Sequence, residues 1–304
     1  MFIIIVRYAN GREKREVWFE YRQICGCEKP SNLRFDLDDN NNATTRTAHT
    51  MDQFLLFGDS ITQQSSLTFS AALSDAYIRR LDVINRGLSG YNTRQALRIL
   101  PHAVPPPQVA KIRFMTVFFG ANDARLPHTP GGPQQHVPLS EYRENLKAII
   151  THPRILEHDG ARLILITPPP VDERMCLESS KAEDPDFPDV FTRPAATTAQ
   201  YASVVRQLGQ EYNLPVVDIW STLILRAGGM TGGVGLPIGS SELAPNPTFQ
   251  SFFRDGLHLS SLGYEVLYEE LMSVIENIWP EQMPSNLPFV LPGWQDQEAW
   301  LPYR

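Results

Sequence analysis

Four short blocks carry side chains that could do chemistry together: Gly58-Asp59-Ser60, Gly90, Gly120-Ala121-Asn122-Asp123 and Asp255-Gly256-Leu257-His258. Ser60 offers a hydroxyl nucleophile and His258 a base. Asp255, three residues before His258, is close enough along the backbone to hold the imidazole Nδ1 and leave Nε2 free for the Ser60 proton. Gly90, through its backbone N–H, and Asn122, through its side-chain amide, could donate to an oxyanion. Those are the parts of an acyl-transfer site. Each block alone also has an ordinary structural reading. Ser60 could be a helix N-cap, Gly90 a turn glycine, Asn122-Asp123 a strand-end turn, and His258 a loop histidine beside an acid. Asp123 reads as a brace for its loop. Their common order along the chain favours the joint reading.

These blocks must be positioned by elements around them. Phe54-Leu55-Leu56-Phe57 reads as a buried strand ending at Gly58, Val83-Ile84 as a second, Ile112 to Phe119 as a third, Arg162 to Ile166 as a fourth and Val216 to Ile219 as a fifth. Helices are expected over Leu67–Arg80, from a Thr93 cap to Leu100, after a Ser140 cap to Ile150, over Ala195–Tyr212 and over Leu262–Ile278. Such alternation implies an α/β fold, with a parallel sheet covered on both faces. In an open parallel sheet, sites form at the carboxyl ends of strands. Ser60 and Asn122 follow the first and third strands, and Gly90 follows the second. Distant blocks would therefore meet.

The rest of the chain narrows the possibilities. Its 304 residues are 42% hydrophobic and 20% charged, as in globular proteins, and the net charge of −7 argues against a nucleic-acid partner. No apolar run approaches the roughly 20 residues of a membrane span. Cys25, Cys27 and Cys176 do not read as a disulfide framework, which suggests a reduced, cytoplasmic setting. No metal cluster is apparent, and Asp59, Asp123 and Asp255 lack the accompanying ligands. Gly228–Gly239 is glycine-rich but reads as a loop, not a phosphate cradle. Residues 1–50 read as a loosely ordered extension, 51–280 as the domain, and 281–304 as a tail whose Phe289, Trp294 and Trp300 would pack on the domain or on a second subunit in a homodimer. The histidines other than His258 lie in expected loops, helix ends or the extension, where surface roles are expected.

The blocks also carry a resemblance. Phe54 to Gln63, Val83 to Arg94 and Arg254 to Ser260 resemble the SGNH (GDSL-type) hydrolase superfamily, in particular the isoamyl acetate-hydrolysing esterases. The resemblance runs from about Phe54 to Ile278. It implies a three-layer α/β/α sandwich of the flavodoxin-like kind, with a five-stranded, mostly parallel sheet. It further implies Ser60, Asp255 and His258 as catalytic residues, an oxyanion hole of Ser60, Gly90 and Asn122, no cofactor, and a small-molecule ester as substrate, short acyl (acetate) esters above all. Longer acyl chains, as in lysophospholipids or thioesters, are the alternative substrates. A non-catalytic binding module on the same fold is the alternative of another class. The chain departs from the family pattern in residues 1–50 and in two long connections, Val171–Pro194 and Gly228–Phe249. Loops of that length often shape a site. Activity is expected to fall in acid, where the imidazole would be protonated.

Overall fold

The computed structural model describes residues 2–11, 14–23, 51–229 and 235–301. They fall in two units, Met1–Ala48 and His49–Arg304. In the first unit, β1 (Phe2–Gly11) pairs antiparallel with β2 (Lys14–Gln23), with Phe2 opposite Gln23 and Gly11 opposite Lys14. Ordered pairing of two strands thus occupies part of the stretch expected to be loosely ordered. The remainder to residue 50, including Cys25, Cys27 and His49, lies outside the described residues.

The second unit is built on a sheet of five strands: β3 (Asp52–Gly58), β4 (Leu81–Gly87), β5 (Ile112–Phe118), β6 (Arg162–Ile166) and β7 (Val216–Val217). Their order is β4-β3-β5-β6-β7 and every pairing is parallel. The helices are α1 (Ser60–Gln63), α2 (Phe69–Ala76), α3 (Thr93–Ala103), α4 (Leu139–Ile150), α5 (Glu173–Glu183), α6 (Ala195–Tyr212), α7 (Ile219–Arg226) and α8 (Ser261–Ile278), with shorter turns between them. The unbroken apolar run of β3 follows from burial on both sides. Phe54 and Leu56 join one core with Leu73 of α2, Leu223 of α7 and Leu271 of α8. Leu55 and Phe57 join the other with Leu100 of α3, Leu146 of α4 and Leu208 of α6. Two helical layers therefore enclose the sheet.

Several element ends differ from the sequence reading. The helix expected over Leu67–Arg80 is only Phe69–Ala76. Leu67 and Ile78, which would belong to its apolar face, are 92% and 56% exposed. Arg79, at φ 60, turns the chain towards β4. The cap of α3 is Asn92, whose side chain accepts from Gln95 N–H in a capping box, and the helix runs past Pro101 to Ala103. Pro138, not Ser140, precedes α4. Asp218 leaves the strand and caps α7 through Ser221 N–H. The long connection after β6 contains a full helix, α5.

Candidate active site

Ser60 stands where β3 turns into α1. Asp59 is the N-cap, and its Oδ1 accepts from Ile61 N–H at 2.9 Å. Gly58 makes the turn possible, since a Cβ there would lie 2.0 Å from Thr62 Oγ1 and 2.7 Å from the Phe118 carbonyl. The Asp59 carboxyl is buried, and burial pushes it up to about 6 against the lowering effect of the Ile61 N–H.

The Gly90 loop is fastened to this turn. Leu88 N–H donates to the Gly58 carbonyl at 2.9 Å, Ser89 N–H to Gln63 Oε1 at 2.8 Å, and Asn85 Nδ2 to the Thr62 carbonyl at 2.8 Å. Gly90 itself adopts φ +81, a left-handed conformation that favours glycine. Among the described residues nothing accepts from the N–H of Ser60 or Gly90.

Asn122 follows β5 and is buried. Its Nδ2 donates to the Tyr91 carbonyl at 2.9 Å, and its Oδ1 accepts from Arg193 Nη2 at 3.2 Å. The two bonds fix the amide orientation and leave one Nδ2 hydrogen uncommitted.

The acid and the base share one loop, closed by an antiparallel bridge between Phe253 and Leu259. Arg254 N–H donates to the His258 carbonyl at 2.9 Å. Asp255 Oδ1 accepts from the N–H groups of Leu257 (3.0 Å) and His258 (2.7 Å). Its Oδ2 lies 2.6 Å from His258 Nδ1, and His258 Nε2 lies 2.9 Å from Ser60 Oγ. Burial acts to raise the Asp255 carboxyl. The hydrogen bonds and charge of His258 outweigh that and hold it at about 2. Asp255 is thus a carboxylate in neutral solution. It favours the tautomer with the proton on Nδ1, so that Nε2 accepts from the Ser60 hydroxyl.

Ser60, Gly90, Asn122, Asp255 and His258 all line one cavity of about 440 Å³. Eight of its eighteen lining residues come from 176–193, the connection whose length suggested a role in shaping a site. Glu173, at the start of α5, anchors that connection. Its carboxylate accepts from Ala195 N–H and Ser241 N–H, both at 2.8 Å. Gly256 (φ +84) packs so closely that a Cβ would lie 2.5 Å from the Asp172 carbonyl.

Sequence reasoning singled out neither Arg193, Arg125 nor Gln135, all of which line the cavity. Isolated in connections, they carry no pattern; only the length of the Val171–Pro194 connection pointed to the region. Asp123 does brace its loop, accepting from Thr93 N–H (2.9 Å) and Thr93 Oγ1 (2.5 Å). His158 departs from the expected surface role: it is buried, its Nδ1 accepts from Ile112 N–H and its Nε2 faces the Pro105 carbonyl at 2.8 Å. Burial pushes the Cys176 thiol, at the cavity wall, up to about 12, which makes it a poor competing nucleophile. Among the described residues no group of His, Cys, Asp and Glu could hold a metal ion, and no helix is long and apolar enough to cross a membrane. Part of the glycine-rich Gly228–Gly239 segment, residues 230–234, lies outside the described residues.

The arrangement can pass a proton from a serine hydroxyl to an imidazole backed by a carboxylate, beside backbone and amide donors. Comparison with known proteins places the chain among esterases and acylhydrolases. Residues 56–266 match the model of the GDSL-like lipase/acylhydrolase family. The human isoamyl acetate-hydrolyzing esterase 1 homolog is 34% identical over 252 residues, covering 80% of this chain and 87% of that protein. The isoamyl acetate-hydrolyzing esterase of Saccharomyces cerevisiae is 31% identical over 256 residues, covering 81% and 94%. Among solved structures, a lipase/acylhydrolase from Enterococcus faecalis superposes with a TM-score of 0.51 at 26% identity, covering 75% of this chain and 96% of that one.

Proposed function

The chain belongs to the GDSL-like lipase/acylhydrolase family and is a serine esterase, and from that premise we propose that it hydrolyses short-chain acyl esters, acetates foremost, through an acyl-enzyme on Ser60. Ser60 Oγ attacks the ester carbonyl as His258 Nε2 takes the hydroxyl proton. The N–H groups of Ser60 and Gly90 and the Asn122 amide hold the oxyanion. Asp255 stabilises the imidazolium. His258 then returns the proton to the departing alcohol. Water, deprotonated by His258, attacks acyl-Ser60, and collapse of the second tetrahedral intermediate releases the acid and restores the serine.

The observation that carries this reading is the continuous chain from Ser60 Oγ through His258 to Asp255, at 2.9 and 2.6 Å, opening on a cavity. Preference for a short acyl group is supported by the cavity wall. Phe187 and Leu257 are its large apolar side chains, against Arg125, Gln135, Glu183, Asp184 and Arg193. A long acyl chain gains about 0.8 kcal/mol per methylene only where it is buried on apolar surface. The names of the human and yeast relatives point to acetates as well.

Hydrolysis of p-nitrophenyl acetate, butyrate and octanoate, beside a Ser60→Ala control, tests the proposal. The acetate is expected to have the highest kcat/KM, with the octanoate lower by about tenfold or more for want of apolar wall, and the control is expected to be inactive. Fastest turnover of the octanoate would overturn the short-ester reading.

A further inference from the structure

Two guanidinium groups meet in the cavity without a carboxylate partner. Arg193, 8% exposed, donates from Nε to the Ala121 carbonyl (2.8 Å) and from Nη2 to Asn122 Oδ1 (3.2 Å) and Gln135 Oε1 (3.1 Å). Arg125 donates from Nη1 to the same Gln135 Oε1 at 2.9 Å. One neutral amide oxygen therefore serves both cations. Among the described residues neither arginine forms an ion pair. Among the described residues Arg125 Nε, which is buried, has no acceptor, and neither Arg125 Nη2 nor Arg193 Nη1 has one.

Buried charges in folded proteins are normally paired, because leaving water costs far more than neutral acceptors return. Asp59 and Asp255, the two acids whose charge acts on Arg193, are already committed. Asp255 is bonded to His258, and Asp59 caps α1. Burial, then the charge of Arg125, lowers Arg193 to about 10, against the raising effect of Asp59 and Asp255. The two groups are tied to each other through Gln135. Arg125 lies against Gly131, where a Cβ would come within 3.0 Å of its Cζ.

We propose that Arg125 and Arg193 form a subsite for a carboxylate carried by the ester itself, so that the physiological substrate is an anionic ester. This deepens the hydrolase reading above and rests on it. Among the described residues Arg193 Nη1 and the Nη2 end of Arg125 keep undonated hydrogens, so each guanidinium can still donate to one carboxylate. A singly charged group is favoured over a phosphate dianion because Glu183 and Asp184 line the same cavity.

The test separates binding from turnover. Ser60→Ala protein is titrated by calorimetry with 4-acetoxybenzoate and with its neutral methyl ester, which differ on the alcohol side. Monobenzyl succinate and benzyl methyl succinate form the corresponding acyl-side pair. At least one charged ester is expected to bind about tenfold tighter than its neutral partner. Arg125→Met in the same background is expected to abolish that difference, and Arg125→Lys, which keeps the charge but loses the fork, to retain part of it. Equal or weaker binding of both charged esters, or a preference that survives Arg125→Met, would overturn the subsite. Turnover of p-nitrophenyl acetate by the unmutated chain reads out the hydrolase proposal separately. A charge preference without turnover supports the subsite and removes the hydrolysis mechanism, and turnover without a charge preference does the reverse.

Discussion

Asp123 is a buried acid beside the site. It is wholly buried, Thr93 supplies both hydrogen bonds to Oδ1, and Oδ2 has no partner among the described residues. Burial raises its carboxyl from 3.8 to about 7, although the Thr93 bonds act to lower it. Between those values the folded protein keeps a proton that the unfolded chain has released. The resulting stability is fully present below 3.8 and is lost as the pH rises through about 7. Asp123→Asn keeps an acceptor for Thr93 and removes the charge. The variant is therefore expected to gain Tm relative to the unmutated chain on going from about pH 5 to about pH 8. A Tm difference that is the same at both values would contradict this assignment. That Ser60, Asp255 and His258 meet was legible because an acyl-transfer reading asks for those residue types side by side. Arg193 was not legible: its bond to Asn122 joins residues 71 apart and leaves no local pattern.

Among the elements, α1, which begins at Ser60, is seated closely on the end of β4. A Cβ on Gly87 would fall 1.9 Å from Gln63 N and 2.3 Å from Gln63 Cα, and that backbone has no flexible end to yield. Gly87→Ala is expected to cost about 1–3 kcal/mol as an overpacking change, and to lower kcat/KM by displacing Ser60. Asn92→Ala, which removes the α3 capping box, is expected to cost about 1 kcal/mol with less effect on turnover. Urea unfolding and kcat/KM on one substrate compare the two, and a Gly87→Ala chain as stable and active as the unmutated one would contradict the account. Helices with an apolar face could be read in advance, as with α8, although the caps expected for α3 and α4 fall elsewhere. The helix α5 could not. Its one buried residue is Glu173, held by backbone N–H groups of distant segments, so the hydrophobic periodicity that marks a helix is absent.

At the scale of the molecule, the strand order explains why the Ser60, Gly90 and Asn122 blocks converge. β3 lies between β4 and β5, so the loops after all three emerge side by side, at the point where the strand order reverses. Alternation of strands and helices made that layout legible. Long-range packing was not legible in the same way. The aromatic tail, expected on the domain or on a second subunit, meets the domain at the α2–β4 corner. Phe289 lies 4.3 Å beneath both Arg79 and Arg80, and Val290 N–H donates to the Arg79 carbonyl at 3.0 Å. The proposed chemistry rests on a single oxygen atom in this architecture, Ser60 Oγ, and a mechanism-based label tests it most directly. The full chain is treated with an organophosphonate that phosphonylates activated serines, then analysed by intact mass and peptide mapping. One adduct on Ser60 is expected, absent from Ser60→Ala and formed far more slowly in His258→Ala. A folded chain that takes up no label, or takes it up at another residue, would contradict the account.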